Sequence, residues 1–201
     1  MKTKTANSFI FAIMIVFIAI VSMPQNGYAE DKKVSTAYAD GTEQHRIKGV
    51  TVEIPSIWEE TKKSDTEYYF YDRQDVFWRS NFLYINILPL PEQTDTITDE
   101  IAAEILEGIK SGMTDCTVHS VTPYPSEAYS GYLYKLSGNV AFTDVNVTAL
   151  IAIIDDELYQ FVFTENAKTK YDYSEDVEQI FKSISPRLHY EDEYIELTIK
   201  I

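Results

Sequence analysis

The sequence predicts an α+β domain: an antiparallel sheet of about seven strands with helices packed on its faces and one more strand at the C-terminus. Three observations predict it. Most of the chain after residue 48 consists of short segments with strand alternation or dense aromatic and β-branched side chains. Only two segments carry the helical period, and most strands are joined by connections too short for a crossover helix, so sequence neighbours pair antiparallel.

The elements follow in order. Val50, Val52 and Ile54 alternate with Thr51 and Glu53, the period of a half-buried strand, and Pro55 ends it because proline donates nothing to the ladder. The turn at that proline directs Trp58 back towards the sheet, as a core residue. TEYYFYD (66–72) and NFLYINIL (81–88) are the next strands, antiparallel across RQDVFWRS. A helix follows, in which Ile97, Ile101, Ile105 and Ile109 recur every four residues. Thr96 with Asp99 is its expected cap and Gly112 its stop.

Strands are expected at 116–122, 130–138, 142–154 and 157–164, the last two joined by the tight turn Asp155–Asp156. ALIAII within the third is apolar on both faces, so it belongs inside the sheet with both sides covered. A second helix is expected from about 174 to 183, with Val177, Ile180, Phe181 and Ile184 at i, i+3, i+4 and i+7 and with Asp172 and Glu175 as a cap. YIELTIKI (194–201) alternates without a break and predicts the terminal strand.

The N-terminus reads as an export signal. Lys2 and Lys4 precede an apolar run over residues 9–21, shorter than the roughly 18 residues that span a bilayer. Gly27 and Ala29 place small side chains for cleavage between Ala29 and Glu30. The expected organisation is therefore a signal peptide over 1–29, a flexible polar leader over 30–46 and one domain over 47–201, secreted and without a membrane span once processed. No cysteine lies at the cleavage site to carry a lipid, and the single Cys116 cannot form an internal disulfide.

Removing the signal's two lysines leaves 15 basic against 32 acidic residues, a net charge of −17. Such a chain repels nucleic acid and anionic lipid, and its acidity serves solubility.

IPSIWEE after an opening strand, the aromatic strand and amphipathic helix that follow, and the closing run IIDDELYQFVFTENAKTKYDYSEDVEQIFKSI together resemble the PsbP-like domain. That fold is named for an extrinsic subunit of photosystem II and also occurs in a Ran-binding nuclear protein and in small secreted bacterial proteins. The resemblance spans about residues 48–185 and implies an antiparallel sheet between helices, with binding or assembly rather than catalysis. YIELTIKI lies beyond it.

Reactive chemistry is sparse. Cys116 and His119 stand three apart on one strand and so face opposite sides, and the chain has no GxSxG elbow, HExxH or phosphate-cradling glycine loop. Neither the acids at 155–157 nor those at 191–193 have calcium-loop spacing, so no metal and no cofactor is expected. For binding, Asp72, Arg73, Trp78 and Arg79 form the candidate recognition surface, because Trp and Arg on a strand connection combine exposure with the residue types that dominate interfaces. The expected function is a non-catalytic domain that binds a protein or cell-wall component at a bacterial envelope. An envelope hydrolase with a site assembled from distant residues and a tyrosine-lined small-ligand carrier are the alternatives.

Overall fold

The computed structural model describes residues 32–75, 77, 80–90 and 94–187. The expected signal peptide with its Ala29/Glu30 junction, the side chains of Trp78 and Arg79 and the strand expected over 194–201 lie outside the described residues.

Twelve strands and two helices occur among those residues: β1 (Lys33–Val34), β2 (Thr42–Ile47), β3 (Val50–Pro55), β4 (Glu59–Lys62), β5 (Glu67–Tyr71), β6 (Phe82–Pro89), α1 (Asp99–Ser111), β7 (Thr114–Pro123), β8 (Ser130–Val140), β9 (Thr143–Ile154), β10 (Glu157–Asn166), β11 (Tyr171–Asp172), α2 (Ser174–Ser183) and β12 (Ser185–Pro186). Seven of them form one antiparallel sheet in the order β4-β5-β6-β10-β9-β8-β7. A three-stranded sheet, β12-β3-β2, and a parallel pair, β1-β11, complete the strands.

Alternation along β9 assigns its two faces. Val145, Val147, Ala149, Ile151 and Ile153 face α1, where Ala102, Ile105 and Ile109 cover them. Leu150, Ala152 and Ile154 face the opposite layer, built from α2 (Val177, Ile180, Phe181) and β3 (Val50, Val52, Ile54). Both faces of this interior strand are thus covered, as its apolar run requires. Trp58 is core, 6% exposed, stacked on Phe163 at 5.8 Å and edge-on to Tyr173 at 6.0 Å. Its indole N–H has no hydrogen-bond partner among the described residues.

Two local differences from the sequence reading have physical causes. Residues 42–46, expected in the leader, belong to β2, which pairs with β3 from Thr42↔Pro55 to Ile47↔Val50. As an edge strand it buries only Ile47, so it lacks an apolar period. Residues 32–41, also expected in the leader, cross the start of α2 as a strap: Lys33 and Val34 pair with Tyr171 and Asp172, and Tyr38 donates its backbone N–H to Asp176. The cap of α1 is Thr98, whose hydroxyl accepts from the Ile101 N–H, and not Thr96. At α2 the Asp172 carboxylate accepts from the Ser174 N–H at 2.9 Å, while Glu175 lies in the first turn. Among the described residues no helix is long and apolar enough to cross a membrane.

Candidate functional site

Among the described residues, the face of the sheet opposite α1 is left open beside α2. The strip of β7, β8 and β9 beside the helix forms a groove of two adjoining hollows, ≈330 and ≈500 Å³, that share Lys135, Thr148, Ser174 and Val177. The sequence dictates this locally. On β8, Tyr132, Tyr134 and Leu136 point to α1, which leaves Leu133 and Lys135 to the groove; on β9, Asn146 and Thr148 line it. Polar strand residues belong on a solvated face.

The upper hollow is bounded by Tyr124 and Pro125 on one side and by Phe181, Glu178 and Lys182 on the other. Tyr124 stacks on Tyr129, with ring centroids 6.3 Å apart. Burial, and then the Glu178 charge, raise the Tyr124 phenol above its ordinary range. The lower hollow is lined by Phe163, Glu165, Asp172 and Tyr173 opposite His119, with Lys32 at its margin. Glu165 is nearly buried and paired to Lys32; burial raises its pKa more than the lysine lowers it. The hydrogen bonds from Ser174 hold Asp172 below the usual carboxylate range. Asp176, 2% exposed, accepts from the Tyr38 N–H with one oxygen and has no partner for the other among the described residues.

At its lower end the groove meets the base of the 72–81 loop through Tyr173. The anchor of that loop is Asp75, fully buried, whose carboxylate accepts from the Phe77 N–H (2.8 Å), Asn81 Nδ2 (2.8 Å), Thr169 Oγ1 (2.7 Å) and the Tyr173 hydroxyl (2.8 Å). Asn81 also accepts from the Asn166 N–H, so the loop is tied to the end of β10.

The expected recognition residues are divided by this arrangement. Asp72 is only 9% exposed and accepts from the Gln74 N–H at 2.8 Å; burial raises its pKa, with repulsion from Asp75 and Asp176 adding to it. Arg73 is on the surface, ion-paired with Glu59 at 2.7 Å and set over the Tyr71 ring. Trp78 and Arg79 are outside the described residues.

Among the described residues Cys116 and His119 do not meet. Cys116 packs on the α1 side, while His119 lies on the groove side with its Nε2 at 2.9 Å from the Ser137 hydroxyl, so the strand separates them as their spacing requires. No group of three or more His, Cys, Asp or Glu side chains that could hold a metal occurs among the described residues.

No family model and no curated protein matches the chain. Solved structures share its fold. Cyanobacterial PsbP (CyanoP) from Synechocystis is 13% identical with a TM-score of 0.55, over 79% of this chain and 98% of that one. The Ran-binding protein Mog1p of Saccharomyces cerevisiae is 7% identical with a TM-score of 0.52, over 73% of this chain and 95% of that one. The fold is therefore PsbP-like, as the sequence pattern led us to expect.

Proposed function

From a PsbP-like fold with a groove among its described residues, we propose that the chain is an exported, non-catalytic binding or assembly domain that acts at a bacterial envelope. It takes an extended segment of a partner protein into the groove between α2 and β7, β8 and β9. The observation that carries this reading is the groove itself. Its walls are apolar at Leu133, Val177 and Phe181, and its margins carry both signs of charge at Lys135, Lys182 and Glu178. Apolar anchors within a polar rim are the anatomy of a protein-binding site. The name of Mog1p describes a Ran-binding protein, so this fold serves protein binding in at least one relative in shape.

Export is supported by the signal pattern over residues 1–29, and the acidity of the chain argues against nucleic acid. Asp75 fastens the loop that begins at Asp72 to Tyr173 at the groove's lower end, while Arg73 pairs with Glu59 of β4. The hydrolase alternative is weakened because His119, Glu165 and Asp172 each engage a neighbour other than one another.

Photo-crosslinking in the native envelope tests the reading. A chain carrying Lys135→Glu, which lies exposed in the groove, loses its crosslinked protein partner, and the Trp78→Ala/Arg79→Ala double variant weakens the same adduct. Adducts unchanged in both variants, or formed only with wall polysaccharide, refute a protein-binding groove. Mass spectrometry of exported protein gives an N-terminus at Glu30.

A further inference from the structure

The two hollows of the groove differ in what they offer a ligand. In the upper one, Val177 and Phe181 are 4% and 2% exposed and only close the back. The apolar surface within a ligand's reach comes from Pro123 and Pro125, both exposed, and from Tyr124 and Leu133, both half-buried. This ridge is braced. The Tyr124 N–H is donated to the Gly131 carbonyl at 2.9 Å, the Ser126 N–H to the Tyr124 carbonyl at 2.9 Å and the Ala128 N–H to the Ser126 hydroxyl at 3.2 Å. Tyr124 also stacks on Tyr129 with the ring planes 6° apart.

The backbone beneath the hollow is already spent. β7 pairs with β8 and β8 with β9, so the sheet face offers no free ladder to an incoming chain, and side chains must meet the ligand's backbone instead. Thr122, Tyr124 and Thr148 bring hydroxyls and Lys135 an ammonium, and these four side chains make no hydrogen bond among the described residues. The carboxylate at the same margin, Glu178, is held by Lys182 at 2.6 Å. Hydroxyls can accept as well as donate, but the ammonium only donates and the carboxylate is engaged, so the hollow is richer in donors. An ordinary extended segment carries an N–H for every carbonyl. A proline-rich one carries carbonyls with few N–H groups, and its polyproline II form leaves those carbonyls free.

We propose that the upper hollow binds a proline-rich segment of a partner protein in the polyproline II conformation, its pyrrolidine rings against Pro123, Tyr124 and Pro125. The inference rests on the reading of the groove as a site for an extended protein segment and names the chemistry of that segment. Size agrees. The helix residues that border the hollow run from Ser174 to Lys182, a rise of about 12 Å, which about four residues of polyproline II span at roughly 3.1 Å each. Every third ring falls on the ridge side, and the carbonyls between are left for the hydroxyls and the Lys135 ammonium. Such a segment is extended before it binds, so it loses little conformational entropy on a ridge that is itself braced.

Titration of the purified chain from Glu30 with a synthetic decaproline peptide tests this without the native partner. Amide shifts are expected at Tyr124, Leu133, Lys135 and Thr148, with a dissociation constant below about 1 mM. Tyr124→Ala weakens binding about tenfold or more, and Thr122→Val, a nearly isosteric change at an exposed strand position, about threefold. Unchanged β10 amide shifts in both variants show that the fold is intact. A peptide of equal length that alternates serine and valine binds at least about tenfold more weakly. No shift at about 1 mM decaproline overturns the proposal. So do equal affinity for the serine–valine peptide, shifts that map elsewhere, or binding unchanged in both variants. N-acetylglucosamine oligomers that shift the same amides more strongly assign the hollow to wall polysaccharide and overturn it too. Crosslinking keeps the two readings apart: decaproline unbound while the protein adduct is still lost in Lys135→Glu refutes the proline-rich segment and leaves the groove reading standing.

Discussion

Asp75 and Asp72 are three residues apart in one loop and have opposite situations. Asp75 has four donors around a fully buried carboxylate, whereas Asp72 has one backbone donor and two acidic neighbours. Nothing local separates them in the sequence, because Thr169 and Tyr173, the groups that single out Asp75, are 94 and 98 positions away. For this reason the sequence drew attention to Asp72 and missed the true anchor. The raised pKa of Asp72 has a defined sign. The folded chain holds that proton more tightly than the unfolded chain, so the contribution of Asp72 to stability is full below the ordinary aspartate value of 3.8 and is lost as pH rises through the folded value. Asp72→Asn keeps an acceptor for Gln74 and removes the buried charge. Urea titrations should show the variant gaining on the parent between pH 4 and pH 7. Glu165 contributes with the same sign, and Asp172, whose pKa is lowered, with the opposite one.

Hairpins reveal a different limit. The Asp155–Asp156 turn adopts the left-handed conformation at both positions, φ 49° and 61°, and aspartate in a two-residue loop announces it. The turn between β8 and β9 has the same geometry at Ala141 and Phe142, φ 47° and 69°, yet neither residue carries a turn signal. The sequence reading accordingly ended one strand at 138 and began the next at 142. Phe142 is also 95% exposed, so no burial offsets the left-handed backbone. The double change Ala141→Asn, Phe142→Gly should raise stability by about 1–2 kcal/mol. In calorimetry that corresponds to a rise in Tm of about 2–8 °C for a chain of this size. A fall in Tm would mean that the Phe142 ring has a packing role. Strands with strong alternation, such as β3 and β9, were legible because one face is buried along their whole length. β2 was not, since five of its six residues escape burial.

Across the molecule, the antiparallel sheet of seven strands and the two helical layers were readable from period and connection length, and the resemblance to PsbP-like domains agrees with them. The groove was not readable, because it exists only where α2 stops covering a sheet whose order the sequence does not print. The strap was equally hidden: a two-residue strand has no period, and β1 pairs with β11 far along the chain, Lys33 with Tyr171 and Val34 with Asp172. Yet it closes real gaps. It supplies Lys32 to Glu165, the Tyr38 N–H to Asp176 and the Tyr38 hydroxyl to Glu53 at 2.8 Å. A chain begun at Gly41 instead of Glu30 removes the Tyr38 N–H from Asp176 and the Lys32 ammonium from Glu165, which keeps only the backbone N–H of Tyr173. It should lose about 3 kcal/mol or more, with a Tm lower by about 6 °C or more in calorimetry. An unchanged Tm would make the strap dispensable.

The strap also orders events in time. Lys32 and Tyr38 leave the ribosome early, while the carboxylates they fasten to, Glu165 and Asp176, are made 133 and 138 residues later. Chains grow at about 5–20 residues per second, so the clasp stays open for several seconds at least, long after the first hairpins can form. The strap is made long before its partners, and a nascent polypeptide of this design keeps residues 32–38 unclasped until Asp176 has emerged.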